Sequence, residues 1–373
     1  MSLHKIRYVV RPPSACPKGL LSGQSPGGQC EVDTDFVAAC AIGELLQTGG
    51  GSSRPLALLF EELLVSGGNG LIWKGKGPGR GKEMRRAFSG LFGRFFARAY
   101  LTRYHDFDWF TPIDGDPTNI SKRLRVTRLL GKGTELPDWI CGAGSGRVAV
   151  AEAKGTSQAL NGTGTGLPGP IKTADGQLKG VVVERLRKVA GKERWTAVRT
   201  KGWAVLSRWG VEIPPRDAFL YVLDPDTHGE PPSAHERDDM VQDIARAHVG
   251  YLLAGMGFSE MASQLLAEHV AGGNRPLEGA FLGSDGEDSA TYLGVPVGPL
   301  GVLPFPLGQA QTLAQAMPNS IRFVGVDADV IRRALAGQRL DARARRSDGP
   351  VQIGGDGLLY APIDRVTPRS LAI

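Results

Sequence analysis

Residues 148–154 read Val-Ala-Val-Ala-Glu-Ala-Lys, a strict period of two. Such alternation commits the segment to a β-strand with two unlike faces. Val148, Val150, Glu152 and Lys154 share one face; Ala149, Ala151 and Ala153 share the other. A face of alanines lets a helix pack close. Glu152 and Lys154 emerge side by side where the strand ends. The glycine-rich loop at 142–146 predicts a hairpin that returns this strand against residues 138–141.

The rest of the chain bounds what that hairpin belongs to. Its 373 residues exceed the roughly 250–300 that one hydrophobic core usually holds, so two domains, or one with large additions, are expected. Apolar residues at 41% and charged residues at 22% are ordinary for a globular protein and exclude wholesale disorder. The 52 glycines and 25 prolines follow no collagen period and imply many loops. No apolar run approaches the ~20 residues of a membrane span. The first residues lack an apolar signal region, so a cytoplasmic location is expected. Cys16, Cys30, Cys40 and Cys141 have neither zinc-site nor redox spacing and read as reduced thiols.

Charge is unevenly spread. Between residues 74 and 103 lie Lys74, Lys76, Arg80, Lys82, Arg85, Arg86, Arg94, Arg98 and Arg103, with Glu83 the one acid. Lys122, Arg123, Arg125, Arg128 and Lys132 follow, and a third basic set runs over residues 179–208. Residues 224–243 are acidic instead. Three basic clusters around one strand end favour a phosphate backbone as partner.

Helical spacing predicts helices over residues 35–46, 57–64, 83–101, 177–190 and 328–336. In the 83–101 helix, Met84, Phe88, Leu91, Phe92, Phe95 and Ala99 form the buried face, fringed by arginines. Ser233 and Glu236 have capping-box spacing, so a helix runs from there to about residue 253, and Ser259 caps another to about residue 270. Strands are expected near residues 108–113, 123–130, 138–141, 147–153, 203–207 and 218–223. The predicted organisation is an N-terminal addition (1–70), a core (71–224) and a C-terminal region (225–373). The fold class is α/β (α+β), a mixed central sheet flanked by helices.

Thirteen residues separate Pro137-Asp138 from Glu152; with Asp138 on the partner strand, two carboxylates and the Lys154 ammonium come to one sheet edge. Asp138 and Glu152 would hold a hard cation, Mg²⁺ with Mn²⁺ as a substitute. The cation would acidify a water and neutralise a phosphate oxygen. Lys154 would orient or deprotonate that water and stabilise the transition state. Pro137-Asp138 followed by Glu152-Ala153-Lys154 resembles the PD-(D/E)xK nuclease superfamily, with its restriction-endonuclease-like fold, over about a third of the chain. The resemblance implies a metal-dependent endonuclease acting on DNA, of a kind used in restriction and phage defence. It implies a glutamine at the start of the helix after the motif strand, for which Gln177 stands, and a glutamate in the first core helix, for which Glu83 stands, with Glu61 and Glu62 as alternates. Lys82, Arg85, Arg86, Lys122, Arg123 and Lys179 are the expected nucleic-acid contacts.

Other motifs fall away. Gly77 to Lys82 is one residue short of a phosphate loop, and the glycines of 162–169 are interrupted by a proline. Trp195, Trp203 and Trp209 flank basic residues and are candidates for base stacking. Met240, Ile244, Ala247 and Tyr251 share a helix face, and with the apolar segment 295–307 they make residues 225–373 a candidate for binding a protein partner or a second copy, core packing being the alternative. Two further readings stay open: a non-catalytic nucleic-acid-binding module, and an adaptor subunit.

Overall fold

The alternating run forms the middle of a seven-stranded sheet. In the computed structural model the described residues are 3–20, 27–48, 71–77, 81–129, 133, 135–157, 166–266, 278–282, 290–298, 301–316, 320–348 and 350–371. The sheet consists of β1 (Leu3–Arg11), β2 (Gly27–Asp33), β3 (Phe107–Pro112), β4 (Trp139–Ala143), β5 (Val148–Thr156), β6 (Lys201–Arg208) and β7 (Phe219–Leu223). Their order is β2-β1-β7-β6-β5-β4-β3. β5 runs parallel to β6 and β1 parallel to β7, while the other neighbours are antiparallel. The expected hairpin is present, with Trp139 opposite Ala151 and Cys141 opposite Ala149.

Seven helices pack around the described strands: α1 (Thr34–Thr48), α2 (Lys82–His105), α3 (Gly169–Leu178), α4 (Ala234–Met256), α5 (Ser259–Leu265), α6 (Leu307–Ala316) and α7 (Ala328–Leu335). α2 crosses β5 at close range because both elements carry glycine at the crossing. A methyl group on Gly93 would lie 2.7 Å from the Gly155 nitrogen, and one on Gly155 only 1.6 Å from the Ser89 carbonyl oxygen. Phe92, Phe95 and Ala99 are buried as the spacing predicts, but Met84 is exposed, because the first turns of α2 project beyond the sheet. α4 begins with the predicted capping box at Ser233 and Glu236 and ends at Gly257 in the left-handed conformation. Its apolar residues Met240, Ile244 and Ala247 are buried, and α4 packs on β3 and β4. That face is therefore core packing, not a partner surface.

Several expectations are corrected. The helix predicted over 177–190 is two elements. α3 ends at Leu178, and Val181–Val189 is a strand paired with Lys192–Val198. Three consecutive valines favour extended backbone, and Ala190 and Gly191, both at positive φ, make the tight hairpin turn. An alanine in that conformation is uncommon, which hid the turn. Strand Leu124–Arg128 belongs to this second, four-stranded sheet, not to the central one. Among the described residues of the N-terminal addition, β1 and β2 extend the central sheet and α1 packs on α2. The C-terminal region contains an eight-stranded sheet that includes Thr291–Gly298, Arg322–Asp327 and Leu358–Pro362. Residues 295–298 of the proline-broken segment thus lie inside a strand. One hydrophobic core joins residues from Ile6 to Tyr360, and a smaller one lies around Phe323 and Leu359. The predicted 57–64 helix, Glu61, Glu62, Arg80, Lys132 and residues 267–270 lie outside the described residues. Among the described residues no helix is long and apolar enough to cross a membrane.

The glycine crossing yields a paired test. Gly155→Ala should destabilise the protein by at least ~1–3 kcal/mol, the usual cost of overpacking. Gly90→Ala, on the same helix with nothing within 4 Å of its added methyl, should be neutral or stabilise by ~0.4–1 kcal/mol. Thermal melts of the two variants would read the difference, and equal effects would refute the close crossing.

Candidate functional site

The hairpin register brings Asp138 and Glu152 together. The Asp138 backbone N–H donates to Glu152 Oε2 at 3.0 Å, and the Ala153 N–H donates to Asp138 Oδ2 at 2.7 Å. Lys154 forms an ion pair with Glu152, two residues back on the same face. The three residues predicted to carry the chemistry thus meet at the end of β5.

Two groups from the helices join them. Arg94, on α2, pairs with Asp138 and, through Nε and Nη2, with Glu44 Oε1 at 2.6 Å. Its guanidinium lies 4.6 Å from the centre of the Trp139 ring. Glu44, on α1, is fully buried and also accepts a hydrogen bond from Trp139 Nε1 at 3.0 Å. Glu44 is not among the residues that the motif picks out. Its one signal in the sequence is that it is a lone carboxylate in the apolar run Phe36 to Leu46, since such a residue is rarely buried unpaired. Glu83, the expected helix glutamate, is exposed in the first turn of α2. It lies eleven residues before Arg94, about 16 Å along the helix at ~1.5 Å per residue. Glu44, by contrast, shares Arg94 with Asp138.

Gln177 lies in the last turn of α3, not the first. It is buried, and its Nε2 donates to the Leu136 carbonyl at 3.3 Å, just before the Pro137-Asp138 turn. Its Oε1 is buried with no hydrogen-bond partner among the described residues.

Burial raises both motif carboxyls above their ordinary range. For Glu152 burial is the largest cause and the neighbouring Asp138 the next; together they outweigh Lys154 and push it up to about 8. For Asp138 burial again dominates, opposed by Arg94. Two adjacent carboxylates that repel each other in a buried place suit a hard divalent cation. Mg²⁺ commonly takes one or two carboxylates and completes its shell with water and phosphate oxygens. No group of three or more histidine, cysteine or acidic side chains able to hold a metal is found among the described residues. A cation at this place would have Asp138 and Glu152 as its two carboxylate ligands.

The basic residues divide. Lys82, Arg85 and Arg86 line a cleft of about 480 Å³ together with Lys76, Arg216 and Gly155. Lys122 and Arg123 are exposed in a turn before strand Leu124–Arg128, and Lys179 is paired with Asp175 at 2.9 Å; none of the three lines this cleft. Much of the third basic set meets the acidic stretch of the same chain. Arg187 binds Glu236 at 2.6 Å, and Arg185 and Lys201 pair with Asp239 and Asp224. The candidate stacking tryptophans are covered. Arg125 lies 4.2 Å from the Trp195 ring centre, His105 packs at a tilt against Trp203, and Trp209 stacks on Trp73. No protein-family model, curated protein or solved structure matches this chain.

Two outcomes follow from these charges. Because Glu152 titrates near 8 in the folded chain and at about 4.5 when unperturbed, the native state binds more protons than the unfolded state between those values. Stability of the metal-free protein should fall as pH rises through that window. Urea denaturation across it should show the fall, and Glu152→Gln should flatten it; an unchanged slope in the variant would refute the assignment. Glu44→Gln removes one counter-charge each from buried Arg98 and half-buried Arg94, which keep Asp356 and Asp138 respectively. Breaking a buried pair from one side costs ~3–5 kcal/mol, which denaturant titration would register.

Proposed function

We propose that this protein is a Mg²⁺-dependent nuclease that hydrolyses phosphodiester bonds of DNA. The observation that carries the reading is the convergence of Asp138, Glu152 and Lys154 at one strand end. With the four strands of the second sheet set aside, the order of elements supports it: helix α2, strands β3, β4 and β5, helix α3, then strand β6 parallel to β5. That is the order the PD-(D/E)xK resemblance implies. The ion, Mg²⁺ or Mn²⁺ in its place, would neutralise charge on a phosphate oxygen and acidify a water. Asp138 and Glu152 would hold it. Lys154 presents an ammonium at the same edge, where it would orient that water and stabilise charge growing on the phosphoryl oxygens. Gln177 steadies the turn that carries Asp138, and Trp139 and Glu44 fix Arg94 beside it.

The proposal extends to a cytoplasmic role in bacterial restriction or phage defence, in which a protein partner or second copy restrains the enzyme. That last step rests on analogy. With the α4 face buried, a partner would use other parts of residues 225–373, where Phe305 and Leu313 are exposed. One observation favours a second reading, a non-catalytic DNA-binding module: Arg94 and Lys154 already neutralise the two motif carboxylates.

Cleavage of plasmid DNA with and without Mg²⁺ separates the two. Asp138→Ala, Glu152→Ala and Lys154→Ala should each lower the rate by at least ~10²–10³-fold while binding persists. Wild-type cutting by all three variants would refute the site, and DNA binding without cutting by the unaltered chain would favour the second reading.

A further inference from the structure

The cleft beside the motif strand has a composition that the hydrolytic site does not need. Lys76 comes from the turn after strand Ile72–Trp73, Lys82, Arg85 and Arg86 from the first turns of α2, and Arg216 from the segment between β6 and β7. Among the described residues no carboxylate lines it. Three acids adjoin the lining residues in sequence without lining the cleft: Glu212, which accepts from the Gly75 N–H at 2.8 Å, and Glu83 and Asp217, both exposed. Five cations around one opening repel each other, and a polyanion relieves that repulsion.

The position is informative. The floor is Gly155, Thr156 and Ser157, the residues directly after Lys154. At ~3.3 Å per residue the floor begins within about 10 Å of the Lys154 backbone. The cleft therefore adjoins, along the same strand, the residues that carry the motif, although Asp138, Glu152 and Lys154 do not themselves line it.

The size and rim narrow the ligand. About 480 Å³ falls in the ~300–1,000 Å³ range of pockets that enclose a small ligand. A duplex carries its phosphates on the outside of a stiff cylinder and would have to unpair to send one strand into such an opening. Ile213 lines the cleft with about half its surface exposed, and Met84, equally exposed, stands between Lys82 and Arg85 on α2. Exposed apolar side chains among cations suit unpaired bases, which have apolar faces. Neither inorganic polyphosphate nor the outside of a duplex offers them.

We infer that this cleft seats a single, unpaired DNA strand and delivers it to Lys154. The inference rests on the nuclease reading and specifies its substrate.

The test measures fluorescence anisotropy in EDTA at fixed salt, using a labelled single-stranded oligonucleotide and a blunt hairpin duplex of the same composition. The single strand should bind at least ~10-fold tighter than the hairpin. Arg85→Ala with Arg86→Ala, both exposed and so harmless to folding, should weaken single-strand binding and shallow its log–log salt dependence by up to ~0.7 for each phosphate no longer neutralised. Lys76→Glu, on the opposite wall, should weaken it as well. Lys188→Ala with Lys192→Ala, exposed on the second sheet, should not. Equal affinity for the hairpin, undiminished binding in both cleft variants, or an equal loss in the second-sheet variant would each overturn the inference. Cleavage with Mg²⁺ is scored separately. A chain that prefers single strands but cuts nothing refutes the nuclease reading and leaves the cleft standing; one that cuts and binds both forms alike refutes the cleft alone.

Discussion

The fully buried carboxylate of Glu44 is the interaction on which the arrangement depends. A lone charge in that place would cost several kcal/mol, so the chain must bring counter-charges to it. Arg94 and Trp139 answer directly, and Arg98 lies 3.5 Å away. These residues come from α1, α2 and β4, elements far apart in sequence. Satisfying Glu44 therefore fixes the helices against the hairpin, and with them the position of Asp138.

The same network reaches the C-terminal sheet. Arg98 donates to Gln47 Oε1 at 2.8 Å and lies 3.8 Å from Asp356. His248 Nδ1 is 2.7 Å from Gln47 Nε2, and its Nε2 is 3.0 Å from Asp356. Burial alone would raise the Asp356 carboxyl, but His248 and Arg98 hold it below its ordinary value. Residues 225–373 are thus tied to the core by buried, charge-assisted bonds as well as by apolar contact. Removing one partner would leave another buried and unpaired, so such networks specify a single docking geometry.

The candidate site joins this network through Arg94 but differs from it in its balance of charge. Glu152 and Asp138 are held close while burial and mutual repulsion disfavour their charges. Such tension is common where chemistry is done. It is sustained by rigid surroundings: the glycine contact between α2 and β5, and the backbone bonds that tie Asp138 to Glu152 and Ala153.

By itself the sequence determined what local periodicity can encode. The alternation of 148–154 set β5 and its two faces, the glycine loop set the hairpin, and the spacing of Phe92, Phe95 and Ala99 set the buried face of α2. The Ser233–Glu236 cap set the start of α4. Asp138, Glu152 and Lys154 were legible because a two-strand register is enough to bring them together. The tertiary structure alone decided the rest. Glu44 enters the site only because α1 folds onto α2, while β1 pairs with a strand more than two hundred residues away. Gln177 reaches the Leu136 carbonyl from the end of a helix that local pattern had placed after it, because the valines that follow are taken up by a second sheet. Which arginine meets which carboxylate likewise depends on long-range pairing, about which neighbouring residues carry no information. Hence Arg185 and Arg187 are matched by acids of their own chain, while Arg85 and Arg86 line an open cleft.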